Sequence, residues 1–427
     1  EVTIPQIAKF GKFRNLSVYD AADVLQVETK LQYEGARPFS FNETMTNLAA
    51  YWSDYYQGTI TPKTTWLVSS GNAADLTVTH HLDLAGRTGS ISSRAGQNQD
   101  LPDVSAGYSY DRAGRRTHAT REDGTTWRYR YNERGELTSG HKLQPSQQPL
   151  AGQQFRYTYD EMGNRTSARF GGDSDGDNLR KISYYPNQLN QYSTIVSPQK
   201  ANVLGLAPAD GSVTVRQSAN GPDLPLDRQG NHFRAEVSTT QPQGQWIEAF
   251  IGNDENPPAP EGGQWVPRKI TSPTYDADGN LTFDGRWLYT WDANNRLVQL
   301  DAAPAALAGG HPHLTLEFAY DHQGRRLQKK VTHHADSTQN YDHRFLYDGW
   351  NLIAEYKTSA GNTLIITKTH HWGHDLSQSP QGAGGIGGLL ATSIKQSNGS
   401  WKSYLPSFDG NGNIIAWTSE TGGVLQR

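Results

Sequence analysis

One pattern recurs along the 427 residues: an aromatic residue, Asp, two variable residues, Gly, and then a polar and a strand-forming residue. The cleanest copy starts at Tyr275-Asp276 and reaches Gly279-Asn280. A unit that repeats many times folds as one supersecondary element that stacks on its neighbours, so any fold of this chain must be built from one short element. The residues that we assign to the repeated turns are Tyr110, Asp111, Gly114, Tyr159, Asp160, Gly163, Tyr275, Asp276, Gly279, Trp291, Asp292, Tyr320, Asp321, Gly324, Tyr347, Asp348, Phe408, Asp409 and Gly412.

The chemistry of the repeat predicts a β-hairpin whose loop is closed by the Asp side chain. Asp accepts backbone N–H groups in tight turns, and Gly adopts the left-handed backbone without steric cost. Asn replaces Gly in weaker copies, as Asn295 does after Trp291-Asp292, and Asn also tolerates that conformation. We therefore expect the aromatic residue to end one strand, Asp to cap the turn, and Gly or Asn to lead into the return strand.

A second aromatic residue often stands two positions before the turn, as in Tyr108-x-Tyr110 and Phe318-x-Tyr320. Side chains two positions apart lie on the same face of a strand. Neighbouring hairpins can then stack their rings, each pair contributing roughly 0.5–1.5 kcal/mol beyond burial. Because the repeated Asp residues have a turn role, we interpret them as structural and predict that the chain is not an enzyme.

The composition narrows both the fold and the partners. With 43 Gly and 21 Pro, the chain has enough turn formers to favour an all-β fold. It contains no Cys, which excludes disulfides, thiolate metal sites and a cysteine nucleophile. A net charge of -4 without a basic block argues against a nucleic-acid partner, and no apolar run is long enough to predict a membrane span.

The repeated residues resemble the RHS/YD-repeat family, which includes bacterial RHS and wall-associated repeat proteins, Tc toxin B and C components, and animal teneurins. The resemblance covers roughly residues 75–195 and 270–427 and is strongest from Tyr275 to Leu297. It implies a spiralling antiparallel sheet of YD-repeat β-hairpins, shell- or tube-like. In family members this sheet encloses a hazardous C-terminal segment.

The resemblance also implies a module that this segment lacks. Family shells are closed by a core-associated module that carries an Asp-based self-cleaving site, and the 427 residues show no counterpart of it. We therefore expect neither self-cleavage nor a closed cage from these residues, and no toxin payload within them.

Four regions are predicted along the chain. Residues 1–75 form an irregular N-terminal β region, with a short helix over 41–56 as the alternative. YD-repeat hairpins occupy 76–197 and 274–427. Between them, 198–273 is rich in Pro and Gly and has no YD turn, and we predict an inserted small β segment, with a flexible linker as the alternative.

An acidic loop is the first of three motifs that could hold a cofactor. Asp173, Asp175 and Asp177 alternate along an acidic loop, a spacing that suits Ca²⁺, although the loop lacks the final Glu of an EF-hand. A solvated loop without metal is the favoured interpretation, so we predict no cofactor and keep calcium as the alternative.

Residues 382–387 fit a dinucleotide-binding glycine pattern, and His370-His371 with His374 could gather imidazoles around a metal. Neither has the local structure that its chemistry needs. No apolar strand leads into the glycines and no helix follows them, and the histidines lie on a predicted strand. We therefore predict a glycine-rich loop and surface histidines.

These observations favour a non-catalytic extracellular or cell-surface scaffold that forms part of a shell, tube or fibre. Its unpaired sheet edges would allow copies to join into a tube or filament. One alternative is an adhesin or carbohydrate-binding module that binds a glycan or cell-surface partner through Trp52, Trp246, Trp265 and Trp372 in one groove. Another is an encapsulating fragment of a polymorphic toxin.

Overall fold

We describe the protein from a computed structural model. It gives backbone and side chains for residues 76–94, 103–253, 256–359, 361–377, 379 and 381–419, and backbone alone for the strands outside these ranges. The described chain is all-β, with long antiparallel sheets, as the repeat predicts. Within the described ranges, no helix has the length and apolar character needed to cross a membrane.

Five N-terminal strands pair in chain order as one sheet, described by its backbone only. The described backbone between residues 41 and 56 is strand and not helix. The strands are β1 (Val2–Thr3), β2 (Asn15–Tyr19), β3 (Leu25–Glu34), β4 (Arg37–Met45) and β5 (Leu48–Ala49).

The next twelve strands form a long antiparallel sheet in which each strand pairs with the one before it. They are β6 (Tyr51–Ser53), β7 (Lys63–Val68), β8 (Ala74–Leu82), β9 (Thr88–Ala95), β10 (Val104–Tyr110), β11 (Arg116–Arg121), β12 (Thr126–Tyr131), β13 (Leu137–Leu143), β14 (Pro149–Tyr159), β15 (Arg165–Gly171), β16 (Leu179–Pro186) and β17 (Tyr192–Val196).

The region without YD turns folds as two three-stranded sheets, β18-β21-β20 and β19-β22-β23. Its own apolar core includes Val215 and Val266, each with no exposed surface. A segment that buries such a core is a folded excursion and not a flexible linker. The strands are β18 (Lys200–Leu206), β19 (Thr214–Arg216), β20 (Leu226–Gln229), β21 (His232–Ser238), β22 (Gln245–Gly252) and β23 (Ala259–Val266).

The chain then returns to the main sheet, where β24 (Ile270–Thr271) pairs with β17, and a second long antiparallel sheet follows in chain order. A five-residue helix, α1 (Pro304–Ala308), and a 3₁₀ turn at Ser337–Gln339 interrupt it. Its strands are β25 (Thr274–Tyr275), β26 (Leu281–Phe283), β27 (Trp287–Trp291), β28 (Leu297–Ala302), β29 (Leu314–Tyr320), β30 (Arg326–His333), β31 (Tyr341–Asp348), β32 (Asn351–Thr358), β33 (Leu364–Trp372), β34 (Leu389–Lys395), β35 (Trp401–Phe408), β36 (Ile414–Ser419) and β37 (Val424–Gln426).

The two long sheets continue into one another. The hydroxyl of Tyr275 on β25 donates a 3.3 Å hydrogen bond to the carbonyl of Tyr192 on β17, across the point where the excursion leaves. We call this continuous antiparallel structure the ribbon. Two strands separate successive YD turns, so these turns all lie on one edge, which we call the YD edge.

The ribbon comes back onto its own early strands. Leu76, Val78 and Ile91, from β8 and β9, pack in one buried cluster with Ala391 and Leu405, from β34 and β35. Each of these side chains is almost fully buried, so the early and late strands share an apolar core and do not merely meet at their surfaces. Strands that are far apart along the ribbon therefore share apolar side chains, so the late part of the ribbon packs against its early part.

Candidate functional site

Each YD turn is closed by its Asp side chain, as the turn after β10 shows. The backbone N–H groups of Ala113 and Arg115 donate to Oδ1 of Asp111, each at 2.9 Å. The backbone closes the loop through the Gly114 N–H, which donates to the carbonyl of Asp111 at 3.1 Å. Gly114 has a φ of +79°, the left-handed conformation in which a Cβ is costly.

The same arrangement recurs at most of the turns assigned from the sequence. The φ at the fourth position ranges from +89° at Gly163 to +57° at Asn295. In each turn, Oδ1 of the Asp accepts the N–H groups of the second and fourth residues after it. The turns that share this bonding are those of Asp83, Asp111, Asp160, Asp276, Asp292, Asp321 and Asp409.

The Tyr or Trp that ends the first strand of a YD hairpin ties that hairpin to the preceding one. The Tyr110 hydroxyl donates to the carbonyl of Thr88 at 2.7 Å, and the Tyr320 hydroxyl donates to that of Leu297 at 2.7 Å. Trp291 uses its indole Nε1–H in the same way, donating to Leu281 at 2.7 Å. We call this hydrogen bond the backward strut, because its acceptor always lies in the preceding hairpin.

An Arg after the turn glycine ties several hairpins to the following one. Arg115 pairs with its own Asp111 at 2.7 Å, while its guanidinium also donates to the carbonyl of Asn132 at 3.1 Å. The same guanidinium lies 5.0 Å from the ring centre of Tyr131, a cation–π contact. Arg87, Arg296 and Arg325 make the corresponding contacts, which we call forward struts.

These hydrogen bonds set the electrostatics of the YD edge. The backbone N–H and the guanidinium of Arg115 together hold the pKa of Asp111 below its usual value. Asp292 has a lowered pKa for the same reason, with the Arg296 side chain as the largest cause. An acceptor-only, ionised carboxylate suits a turn cap, and a general acid would need the opposite shift.

The turn at Tyr347-Asp348 departs from the sequence prediction. Asp348 pairs directly with Asn351 as part of the sheet, and Gly349 takes the left-handed backbone with a φ of +55°. The turn is closed by Gln381, whose side-chain amide accepts the Trp350 N–H at 2.9 Å and donates to the carbonyl of Asp348 at 2.8 Å. The assignment of Asp348 as a cap is wrong because a distant side chain performs that task.

The candidate calcium loop is another hairpin turn. Oδ1 of Asp173 accepts the N–H groups of Asp175 and Asp177 at 3.1 and 3.0 Å, and Oδ2 accepts the side-chain amide of Asn178 at 2.7 Å. The carboxylate therefore caps a turn that has the YD bonding but no aromatic residue. Among the described side chains, no three His, Asp or Glu groups gather as a metal site.

The glycine run at 382–387 folds around a buried carboxylate. Asp375 is 3% exposed, and its oxygens accept the N–H groups of Ala383 and Gly385 and the N–H and hydroxyl of Ser377. Burial alone would raise the pKa of Asp375, but these hydrogen bonds hold it below its usual value. The loop occupies the YD position between β33 and β34, so its glycines serve a carboxylate of the chain itself.

The tryptophans proposed for glycan binding have structural roles where they are described. Trp372 makes a backward strut to the carbonyl of Leu352 at 2.6 Å. Trp246 and Trp265 pack edge-on against His311, at 5.1 and 6.0 Å between ring centres, and Trp287 adds a third indole at 5.0 Å. They form no common open groove, and the Trp52 side chain lies outside the described residues.

The histidine doublet on β33 is divided between the two faces of the sheet. His371 is 1% exposed on the face that meets the early strands, whereas His370 lies on the opposite face with Glu355 and Thr392. Alternation along a strand separates adjacent side chains in this way, so the doublet cannot act as one metal ligand pair. Sequence reasoning missed Glu355 and Thr392, because only the strand register brings them to His370.

The repeat of this chain matches a known family, and the chain is similar to several known proteins. The family model described as RHS Repeat matches residues 110–142. The chain is 29% identical over 154 residues to the tRNA nuclease WapA of Bacillus subtilis, covering 36% of this chain. It is 25% identical over 294 residues to the probable deoxyribonuclease RhsA of Dickeya dadantii, covering 67% of this chain. The chain is an RHS/YD-repeat protein.

This RHS/YD-repeat chain is similar to only a small part of each relative. It spans 5% of the length of WapA and 16% of the length of RhsA. A crystal structure of TcdB2-TccC3-Cdc42 aligns with 96% of this chain and 23% of its own, at 12% identity and a TM-score of 0.33. The nuclease activities in the relatives' names are therefore statements about much longer proteins.

Proposed function

We propose that this RHS/YD-repeat segment is an extracellular or cell-surface scaffold that builds part of a hollow shell. One observation carries the proposal: the ribbon returns to its own early strands. The Arg116 guanidinium on β11 donates to the side chain of Asn411 at 2.7 Å and to the carbonyl of Gly410 at 2.8 Å. A ribbon that closes on itself after one turn encloses space, whereas a flat or open sheet does not.

The struts support a mechanical role for the ribbon. Each YD hairpin is held to its neighbours by the sheet ladder and by side-chain bonds at its turn. A net hydrogen bond contributes about 0.5–1.5 kcal/mol, so struts repeated at most of the hairpins add stiffness along the YD edge. The repeated Asp carboxylates accept hydrogen bonds within their own turns, which supports a structural role for these residues.

Spin labels can test whether the ribbon closes. The chain has no native Cys, so Arg116→Cys with Asn411→Cys introduces the only two thiols. The Arg116 hydrogen bonds are lost in this variant, but the Tyr108–Gly410 hydrogen bond and the apolar cluster remain to hold the contact. We expect a short and narrow distance distribution. The matched control combines Arg116→Cys with Asn294→Cys, on a turn part-way along the ribbon, and should give a long distance. Equal long distances for both pairs would contradict a closed turn.

Association through free edges is a separate part of the proposal. Unpaired strand edges recruit further strands, so isolated copies are expected to join into a tube or filament. Size-exclusion chromatography with light scattering over a concentration series measures this directly. A monomer that persists at high concentration would contradict association into a filament, but it would not contradict the shell proposal.

A further inference from the structure

A pocket lies on one face of β33–β36. Its volume is about 480 Å³, which fits a small organic molecule. Its walls are mainly apolar and aromatic, and its polar groups gather at one end. The lining residues are Lys368, His370, Leu389, Thr392, Ile394, Tyr404, Ile414 and Trp417.

Three side chains at the polar end form a continuous hydrogen-bonded chain. Oγ1 of Thr392 lies 3.0 Å from Nδ1 of His370, and Nε2 of the same imidazole lies 3.1 Å from Oε1 of Glu355. The sheet register holds them in place, since Thr392 is directly opposite His370 and Glu355 is opposite Lys368. Central strands fix these positions more firmly than loops do.

The carboxylate decides which imidazole nitrogen carries the proton. Burial would raise the pKa of Glu355, but His370 and Lys368 lower it to about 2, so Glu355 is ionised at neutral pH and can only accept. Because the carboxylate can only accept, Nε2–H of His370 donates to Glu355. In the imidazole tautomer that this bond selects, the Nδ1 lone pair faces the Thr392 hydroxyl, which is the arrangement of a nucleophile, a base and a group that orients the base.

We propose that Thr392 and His370, positioned by Glu355, form an acyl-transfer site for small esters with an apolar or aromatic body. The walls formed by Leu389, Tyr404 and Trp417 suit such a body. Lys368, whose Nζ lies 3.3 Å from the Glu355 carboxylate, is the permanent positive charge among the lining residues. It is the group in this lining that can stabilise a developing oxyanion.

The reaction is a hydrolysis in two steps. Oγ1 of Thr392 attacks the ester carbonyl carbon as its proton passes to Nδ1 of His370, and the oxyanion then collapses with cleavage of the bond to the alcohol oxygen. The alcohol leaves with the proton from Nδ1, and the acyl group remains on Thr392. Water then attacks the acyl-threonine with His370 as base, which releases the acid and restores the hydroxyl.

A covalent probe tests the nucleophile directly. We expect a fluorophosphonate probe to label the purified chain, with the adduct located on Thr392 by peptide mass spectrometry, and p-nitrophenyl butyrate to be hydrolysed. Thr392→Val should abolish labelling, and His370→Ala should lower its rate by about 100-fold or more. Thr392→Ser should retain or raise the rate, because it keeps the hydroxyl and removes a methyl group beside it.

Two further variants separate chemistry from folding. Thr369→Val alters a threonine that is 2% exposed on the opposite face, and it should leave labelling unchanged even if it lowers stability. Glu355→Gln should lower the labelling rate, because an amide can also donate and no longer fixes the imidazole proton on Nε2. Labelling at another residue, labelling that survives Thr392→Val, or no labelling of a folded chain would overturn the proposal, and none of these results bears on the shell.

Discussion

The backbone N–H of Gly410 donates a 2.6 Å hydrogen bond to the hydroxyl oxygen of Tyr108, although 302 positions separate the two residues. Arg116 lies over the same ring at 4.2 Å from its centre. The YD turn of β35–β36 is thereby fastened to β10 and β11, and this contact is where the ribbon closes.

The closing contact depends on Arg116. Arg116→Ala removes two hydrogen bonds and a cation–π contact, so we expect a loss of about 1–3 kcal/mol in the free energy of unfolding. Hydrogen exchange should rise in residues 408–413. The matched control is Arg112→Ala at the exposed tip of the neighbouring turn, which should leave that exchange unchanged. Equal protection of 408–413 in the two variants would show that the apolar cluster alone holds the layers.

At Gly324 the turn requires glycine for its backbone conformation and not for space. Gly324 has a φ of +82°, and a Cβ there would meet no atom within 4 Å. Gly324→Ala should therefore cost about 1–2 kcal/mol through backbone strain alone, measured by urea unfolding. Gly324→Asn should cost less, because Asn295 already takes this position in a neighbouring turn.

Gly107 provides the matched control for that measurement. It also has no atom within 4 Å of an added Cβ, but it lies within β10 and outside the left-handed region. Gly107→Ala should be neutral or slightly stabilising. Equal costs at the two positions would mean that the left-handed φ of Gly324 does not determine the cost of the substitution.

The turn chemistry was predictable from the sequence, and the connections between turns were not. Asp111 caps a loop made of its own neighbours, so composition and spacing were enough. The backward strut of Tyr275 reaches an acceptor 83 residues away, beyond the excursion, which no local pattern encodes. The hydrogen-bonded chain at His370 could not be predicted from the sequence for the same reason. Glu355 and Thr392 are 15 and 22 residues from His370 and are brought together only by the strand register.

The contribution of a backward strut to stability can be measured by removing the hydroxyl group that donates it. Tyr320→Phe keeps the ring but leaves the carbonyl of Leu297 without its 2.7 Å hydrogen bond. We expect the free energy of unfolding to fall by about 0.5–1.5 kcal/mol. Tyr185→Phe, on a ring that is 54% exposed, is the control and should change little. If both variants matched the wild type, the strut would add no stability.

The three indoles around His311 predict an acid-sensitive junction between the excursion and the ribbon. His311 is 4% exposed, its Nε2 accepts from Arg286 at 2.9 Å, and its Nδ1 lies 2.7 Å from the carbonyl of Pro312. Burial lowers the pKa of His311. The hydrogen bond to the Pro312 carbonyl opposes this effect, the Arg286 charge adds to it, and Asp284 makes a smaller opposing contribution. As the pH falls, His311 therefore binds a proton at a higher pH in the unfolded state than in the folded state.

The sign of the pH effect follows from that order. The stability from a neutral His311 is complete above its unfolded pKa of about 6.5, and it declines as pH falls toward the lower folded pKa, by at most about 1.4 kcal/mol per pH unit. Unfolding curves between pH 7.5 and 5, followed by tryptophan fluorescence, should show this decline. His311→Gln should flatten it relative to the wild type, and an unchanged slope would place the acid sensitivity at other histidines.

The Tyr275 strut across the excursion has a consequence for how such chains change over evolutionary time. The join between two hairpins needs only the turn residues on each side, and it re-forms in the same geometry after some seventy intervening residues have left and come back. A gene of this kind can therefore gain, lose or exchange whole hairpins, or accept a foreign segment between two of them, without new contacts having to be invented at the splice. The number of hairpins, and so the length of the ribbon, is then the property most easily varied. The volume that the ribbon surrounds varies with it.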